Sequence, residues 1–248
     1  MRKHWKKIVL ALFLVSMVFV LTGCAADGTG VADELTGMLG SRSTSLQIIA
    51  LITILSLAPS ILILLTGFTR MVIVLSFTRN ALGMQQMPPN QVLVGLALIL
   101  TFFVMSPVFT SMYEEAYVPY AANEITAAEA TDAALEPLRE FMLRQTYRTD
   151  LEMFMSFSGE EAVEDPTQVP TKVLVPAFIT SEIKRGFQIG FFIYIPFIVI
   201  DMIVASTLMA MGMMMLPPVI ISLPFKVLLF IAVDGWLLTM QTLVGSFL

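Results

Sequence analysis

The sequence contains almost none of the residues on which enzyme active sites and metal centres depend. Its 248 residues include one cysteine, Cys24, and one histidine, His4. A single cysteine excludes an intrachain disulfide, and a single histidine so near the start excludes Ser–His or Cys–His catalysis and a His/Cys metal cluster in the rest of the chain. The glycines form no phosphate-binding loop. Neither an enzyme nor a bound cofactor is therefore predicted.

Charged residues are also scarce. They make up 13% of the chain, against 57% hydrophobic residues, whereas a soluble domain has about 25% charged residues. Long apolar runs cover residues 46–66, 92–112, 186–211 and 219–248, and about 20 apolar residues are enough for a helix to span a bilayer. The composition therefore indicates an integral membrane protein of the all-α class.

Proline pairs divide the apolar runs into two predicted helical hairpins. Pro88 and Pro89 precede the second run, and Pro217 and Pro218 separate the third run from the fourth. A proline pair cannot continue a helix, because each proline lacks an N–H group and its ring clashes with the preceding turn. We therefore predict one hairpin over residues 46–112 and another over residues 176–248, with the methionines of residues 211–215 at the second bend.

The segment between the hairpins, residues 113–175, is acidic. It holds 13 of the 19 acidic residues and four of the 14 basic ones, so it is predicted to be a small, solvated helical insert. Pro137 suits the first turn of one of its helices. Arg70 and Arg79 flank the first inter-helix loop and favour the cytoplasm for that loop, which places the insert outside. Lys184 and Arg185, at the start of the third run, conflict with that simple topology.

The N-terminal region is predicted to be a targeting segment. Residues 1–26 combine a basic start with a short apolar stretch, as a signal peptide does, and residues 27–45 form a small, polar, flexible leader. Leu21, Thr22, Gly23 and Cys24 fit the lipoprotein pattern, in which the cysteine is lipidated. Ordinary cleavage after Ala26 and an uncleaved first helix are the alternatives.

Three ionisable residues lie inside the last two apolar runs. Asp201 lies 16 residues before Pro217 and Asp234 lies 16 residues after Pro218, so a symmetric hairpin would place the two carboxylates level. Lys226 would then lie eight residues, or about 12 Å, from that level. We therefore expect Asp201, Lys226 and Asp234 to make polar contacts with other subunits, because charge at this depth needs a partner, a proton or water.

Two other interpretations of the level carboxylates remain open at this point. Asp201 and Asp234 could carry protons in a proton-coupled transporter of small solutes, or they could form the catalytic pair of an intramembrane aspartyl hydrolase. Simple protonation of the aspartates is a third alternative. Gly186 and Gly190 form a small-xxx-small face on the third run, which indicates close helix packing.

Several motifs resemble those of the FliP family, over about residues 46–248. The first motif combines FTRNALG at residues 77–83 with PPNQVL at residues 88–93. The second combines IDMIVAS at residues 200–206, the methionine cluster, SLPFK at residues 222–226 and DGW at residues 234–236. These are long runs in a fixed order, so the resemblance is specific.

The resemblance implies a core subunit of the flagellar type III protein export apparatus, in the bacterial inner membrane at the flagellar basal body. It implies a pentameric ring that assembles with FliQ and FliR, is helped by FlhB and fed by FlhA, and passes unfolded flagellar proteins. No nucleic-acid partner is predicted. Met213, Met214 and Met215 match the family's methionine gate, and Gly212 would let the backbone bend there. Flexible apolar methionines can close around varied polypeptides and resist ions by dewetting.

Overall fold

The computed structural model describes residues 52–53, 55–57, 60–61, 63–84, 86–159, 168–213 and 215–247. The predicted signal peptide with Cys24, the predicted leader and Met214 lie outside these described residues. Contacts divide the chain into two units, Met1–Ala58 and Pro59–Leu248, and the fold described below is that of the second unit.

The described part of the second unit is helical and contains no strand. Its helices, in chain order, are α1 (Phe68–Ala81), α2 (Asn90–Met112), a π-helical turn (Tyr113–Tyr117), α3 (Val118–Ala121), α4 (Ala127–Gln145), α5 (Arg148–Ser158), α6 (Thr171–Ala210), α7 (Pro218–Ala232) and α8 (Gly235–Gly245). The predicted all-α fold with long apolar helices is confirmed.

Helix α6 is the longest element, and α1, α4, α5 and α7 all pack against it. Its 40 residues extend over about 60 Å at 1.5 Å per residue. Ile73 of α1 lies against Gly186 and Phe77 lies against Gly190. Because residue numbers rise together on the two helices, α1 runs parallel to the middle of α6.

Three clusters of buried apolar side chains hold the described helices together. One joins the insert helices α4 and α5 to α2 and α6, through Met105, Phe141, Met142, Met155 and Phe178. Another joins α1 to α2 and α8, through Met71, Val74, Leu75, Leu93 and Leu243. The third lies at the far end of α1 and contains Ala81, Leu82, Phe197 and Phe230. The insert is therefore packed onto the long helices.

Two prolines lie inside helices. Pro107 lies inside α2, and the helical stretch continues past it to Ala121. Pro137 was expected in a first helical turn but lies in the middle of α4. That helix begins instead after Thr126, which forms a capping box with Glu129. A capping box satisfies two free N–H groups at a helix start, which a proline cannot do.

Helices α6 and α7 fold back on each other as a hairpin. Phe197 contacts Phe230, with ring centroids 6.3 Å apart, and Asp201 contacts Lys226, so residue numbers rise on α6 as they fall on α7. The fourth apolar run is long enough to span a bilayer as one helix. It is instead divided into α7 and α8, which meet at an angle of 65°.

Candidate functional site

The methionine loop, defined here as residues 211–217, joins α6 to α7, and its three described methionines are exposed. Met211 is 61% exposed, Met213 is 44% exposed and Met215 is 97% exposed. Methionine in an apolar helix usually fills core space, but these side chains contact little of their own chain. The loop therefore presents flexible, apolar side chains at one end of the hairpin.

Gly212 ends helix α6. Its backbone is left-handed, with φ at +75°. The Gly212 N–H donates to the carbonyl of Met209 (3.0 Å), and the Met213 N–H donates to the carbonyl of Leu208 (2.9 Å). This pair of bonds is a Schellman motif, which satisfies carbonyls at a helix end and favours glycine at the left-handed position. Gly212 thus sets where the methionine loop begins.

Asp201 and Lys226 form an ion pair within the chain. The Lys226 ammonium is 2.6 Å from Asp201 Oδ2, and the Ser222 hydroxyl donates to Asp201 Oδ1 at 2.5 Å. The Lys226 side chain is 2% exposed and that of Asp201 is 26% exposed. The prediction that these charges lack a partner within their own hairpin is wrong.

The register of the hairpin explains this correction. Asp201 lies nine residues before the end of α6 at Ala210, and Lys226 lies eight residues after the start of α7 at Pro218. Counting from the proline pair assumed a symmetric turn, whereas the seven residues between the helices all precede Pro218. Asp201 is therefore level with Lys226, and Asp234 lies eight residues further along the chain. The prediction of two level carboxylates is wrong.

Asp234 lies at the bend between α7 and α8. Its backbone is left-handed, with φ at +51°, and its side chain is exposed and makes no capping hydrogen bond to α8. Gly235 follows it, and a Cβ atom there would lie 2.2 Å from the ring of Phe230. The bend therefore requires a glycine beside Phe230, and it turns Asp234 outward.

Gly186 and Gly190 lie in the contact between α6 and α1. A Cβ atom at Gly186 would lie 3.1 Å from Ile73, and one at Gly190 would lie 2.6 Å from Phe77. Both glycines are buried. They allow the two helices to approach closely within one chain, as small residues do between membrane helices.

The most enclosed polar cluster surrounds Arg70, which is 0% exposed. Its Nε donates to one carboxylate oxygen of Glu182 (3.1 Å), and Nη2 donates to the other and to Gln145 Oε1 (3.0 Å). Its Nη1 donates to the carbonyl and to the hydroxyl of Ser246 (2.8 and 2.9 Å). All five N–H groups of the guanidinium thus have acceptors. Phe247 stacks on it, with the ring centroid 3.8 Å from Cζ.

This Arg70 cluster joins α1, α4, α6 and the segment after α8. Arg70 and Arg79 were expected to flank a loop between the first two apolar runs, but both lie on helix α1, and Arg70 lies beside the insert. Glu182 was not predicted as a site residue, although it is the one acid between residues 171 and 200. It was overlooked because the apolar run was taken to begin after it.

A second contact fixes the insert to α6. The Asp150 carboxylate accepts from the Lys184 ammonium (2.5 Å) and from the Ser181 hydroxyl (2.7 Å), and that hydroxyl accepts from the Tyr147 N–H (3.0 Å). Burial opposes ionisation, but these hydrogen bonds and the positive charge of Lys184 outweigh it and hold the pKa of Asp150 below its ordinary value. Lys184, which conflicted with the expected topology, is thus part of the docking of α5.

Large apolar surfaces remain uncovered on the long helices. Two helical stretches in the described part of the chain, Asn90–Ala121 and Thr171–Ala210, are long and apolar enough to cross a membrane, and the bent pair α7 and α8 is a third candidate. In the most apolar part of Thr171–Ala210, 11% of the residues are buried. Such faces need lipid or other protein subunits around them.

The fold and its polar clusters define a class: an all-α membrane protein whose buried charges lock its helices together while its apolar faces and methionine loop stay open. The particular family follows from comparison with known proteins. The FliP family model matches residues 51–243, and the chain belongs to that family.

Three relatives, each called flagellar biosynthetic protein FliP, show how close the match is. The protein of Pectobacterium carotovorum subsp. carotovorum is 53% identical over 234 residues, which cover 94% of this chain and 91% of that protein. The Bacillus subtilis (strain 168) protein is 54% identical over 205 residues, covering 83% and 93%. The Caulobacter vibrioides protein is 50% identical over 228 residues, covering 92% and 86%. The resemblance identified from the sequence motifs is thus confirmed.

Proposed function

We propose that this chain is a core, pore-forming subunit of the flagellar type III protein export apparatus. It passes unfolded flagellar proteins across the bacterial inner membrane through a constriction lined by methionines. Membership of the FliP family and the names of the relatives support a role in flagellar biosynthesis. The uncovered apolar faces support membrane insertion and assembly with further subunits.

The exposed methionine loop is the observation that carries the pore proposal. Met213 and Met215 lie outside the core of their own chain, at a loop whose start is fixed by Gly212. When several copies surround one axis, such loops bring a ring of flexible apolar side chains together. This ring opens around any passing side chain and excludes ions when empty, because a narrow apolar constriction dewets.

The proposed assembly is a homo-pentamer that joins FliQ and FliR, with FlhB and FlhA in the export apparatus. Asp201 and Lys226 neutralise each other within the chain, so they are no longer proposed as inter-subunit contacts. The exposed carboxylate of Asp234 remains available for one. The insert is proposed to lie on the outer side of the membrane.

Replacement of Met213, Met214 and Met215 by alanine tests the pore proposal. We expect ion leakage through the assembled complex to rise while flagellar protein export persists, because the shorter side chains no longer close the constriction. Ion conductance of cells or of reconstituted complexes measures the leak. Matched control variants are Met153→Ala and Met202→Ala, which shorten exposed methionines outside the loop. Ion-tight triple variants, or equal leakage in the controls, would place the constriction elsewhere.

The hydrolase interpretation required Asp201 and Asp234 to lie level, and the transporter interpretation required both carboxylates to carry protons. In the structure, Asp201 is paired with Lys226 and Ser222, and Asp234 lies beyond it at an exposed bend. No feature of the described residues favours either interpretation over the pore.

A further inference from the structure

The connection between α1 and α2 lies against the start of α7. Helix α1 ends at Ala81, and Gly83 follows in the left-handed conformation, with φ at +76°. A Cβ atom on Gly83 would lie 3.9 Å from the Val219 side chain and 4.0 Å from the Lys226 ammonium. Val219 is the second residue of α7. The chain therefore turns away from α1 in contact with the turn of α7 that directly follows the methionine loop.

This connection, the α1–α2 loop, is described over residues 82–84 and 86–89 and is anchored at its start between the two helices of the hairpin. Leu82 is 2% exposed and is buried in one cluster with Phe197 of α6 and Phe230 of α7. Close packing against both helices limits how far the loop can move relative to either. The loop is therefore held to α6 and to α7 at the same time.

Arg79 holds the other end of the α1–α2 loop. Its Nη1 donates to Asn90 Oδ1 at 2.5 Å and to the Pro88 carbonyl at 3.4 Å. Asn90 is the first residue of α2, so one side chain in the last turn of α1 connects the two ends of the loop. Hydrogen bonds from a charged donor are stronger than those between neutral groups. Arg79 thus closes the loop and keeps it beside α7.

The methionine loop depends on support from outside itself. Its three described methionines are exposed, so their side chains contribute little to its position. The left-handed backbone of Gly212 fixes where the loop starts. Its other end is set by the first turn of α7, and that is the turn on which Gly83 lies.

We propose that the α1–α2 loop positions the methionine constriction, with Gly83 and Arg79 as the positioning residues. Gly83 allows the loop to lie against Val219, and Arg79 keeps it there, so the methionine loop ends at the same place in every copy. This inference rests on the proposed pore function, because a narrow apolar constriction excludes ions only while its side chains meet. Loss of either residue lets the start of α7 move and opens the constriction without removing a methionine.

Hydrogen exchange in the detergent-extracted full chain tests the contact without reference to the pore. Gly83→Ala places a side chain at a left-handed position, and this strain is relieved when the loop moves away from Val219. We expect the amides in the first two turns of α7 to exchange about tenfold faster. Gly159→Ala is the matched control, because Gly159 also ends a helix in the left-handed conformation, with φ at +70°, but has open space beside its Cβ position.

Ion conductance of the assembled complex tests the consequence for the pore. Among complexes of wild-type size, Gly83→Ala and Arg79→Gln should raise the ion leak while flagellar protein export persists, as we expect for replacement of the three methionines. Gly159→Ala and Arg144→Gln should stay ion-tight, since Arg144 is an exposed arginine of the insert. Arg79→Gln keeps the test decisive if Gly83→Ala does not assemble.

Unchanged exchange at the start of α7 in both Gly83→Ala and Arg79→Gln would overturn the positioning role. So would ion-tight complexes of these two variants beside a leaking triple methionine variant, a result that leaves the pore proposal intact. Equal leakage in Gly83→Ala and Gly159→Ala would assign the effect to general loosening of the fold and would also overturn it. An ion-tight triple methionine variant would contradict the pore itself, and the positioning role with it, even where exchange in α7 is faster.

Discussion

The Arg70 cluster and the Asp201–Lys226 pair are built from the same kinds of residue but are enclosed to different degrees. Arg70 and Glu182 have side chains that are 0% and 1% exposed, and Arg70 has an acceptor for every N–H group. Asp201 is 26% exposed and its pair is completed by a single hydroxyl, that of Ser222. Burial raises the cost of losing one partner of a charge pair, so the two clusters have different roles.

The position of each cluster agrees with this difference. The Arg70 cluster joins four separate parts of the chain at the insert end of α1. The Asp201–Lys226 pair joins α6 and α7 toward the methionine loop, where the Lys226 ammonium also lies 4.0 Å from the position of a Cβ atom on Gly83. One cluster fixes the arrangement of the helices, and the other fixes the register of the hairpin that carries the loop.

The largest expected effect comes from Glu182→Gln, which leaves the Arg70 charge buried without compensation. We expect a loss of about 3–5 kcal/mol in the free energy of unfolding, as for other broken buried pairs. Denaturant unfolding in detergent, followed by helical circular dichroism, measures it. The matched control is Glu152→Gln, which breaks an exposed i,i+4 pair with Arg148 and should cost less than about 0.5 kcal/mol. Similar losses in both variants would show that the buried and the exposed ion pair contribute equally to stability.

Asp201→Asn should destabilise the protein by less, about 1–3 kcal/mol, because solvent screens a carboxylate that is partly exposed. The same unfolding measurement applies. Combining it with Lys226→Met forms a double-mutant cycle, in which the double variant should lose less than the sum of the two single variants, since neither charge is then left alone. Additive losses would show that the two side chains do not stabilise each other.

Gly190→Ala tests the close approach of α1 and α6 that brings Arg70 to Glu182. The added methyl group would lie 2.6 Å from Phe77, so one helix or the ring must move, and we expect a loss of about 1–2 kcal/mol. Gly95→Ala is the control, because no atom apart from its chain neighbours and the nearby backbone of its own helix lies within 4 Å of its Cβ position. That substitution in a helix should stabilise the protein by about 0.5–1 kcal/mol. Equal thermal stability of the two variants would remove the steric argument.

The smallest expected effect is a pH dependence from Asp150. Its pKa in the folded chain lies below the ordinary value of 3.8. The ionised carboxylate therefore contributes stability that is present above about pH 4 and is lost as the pH falls through the folded pKa. The Lys184 side chain is 44% exposed, so solvent screens its charge. We therefore expect this contribution to stability to be about 1 kcal/mol.

Asp150→Asn isolates this contribution. The variant should be slightly less stable than the wild type at neutral pH and should converge with it on acidification. Unfolding free energies measured at a series of pH values provide the comparison. Parallel pH profiles for the two proteins would show that Asp150 is not stabilised by its contact with Lys184 and Ser181.

Local patterns predicted the helical class and the site of the methionine loop well, but they predicted the partners of charged residues poorly. Asp201 and Lys226 were recognised as buried charges, yet they were judged too far apart, because a symmetric turn was assumed at Pro217 and Pro218. Glu182 was not recognised at all. Both errors concern contacts between residues distant in sequence, and such contacts depend on where helices end and how they pack.

The sequence by itself determined the helical class, the membrane character and the family, because these depend on the length of apolar runs and on motifs of consecutive residues. Only the tertiary structure decided that Arg70 lies beside the insert, that Asp201 is level with Lys226 and that Asp234 turns outward. These outcomes depend on the parallel packing of α1 on α6, on the Schellman motif at Gly212 and on the 65° bend before α8. If α1 packed one helical turn further along α6, or if α6 or α7 ended one turn later, a charged residue would move by about 5 Å. That distance is enough to separate the charge from its partner.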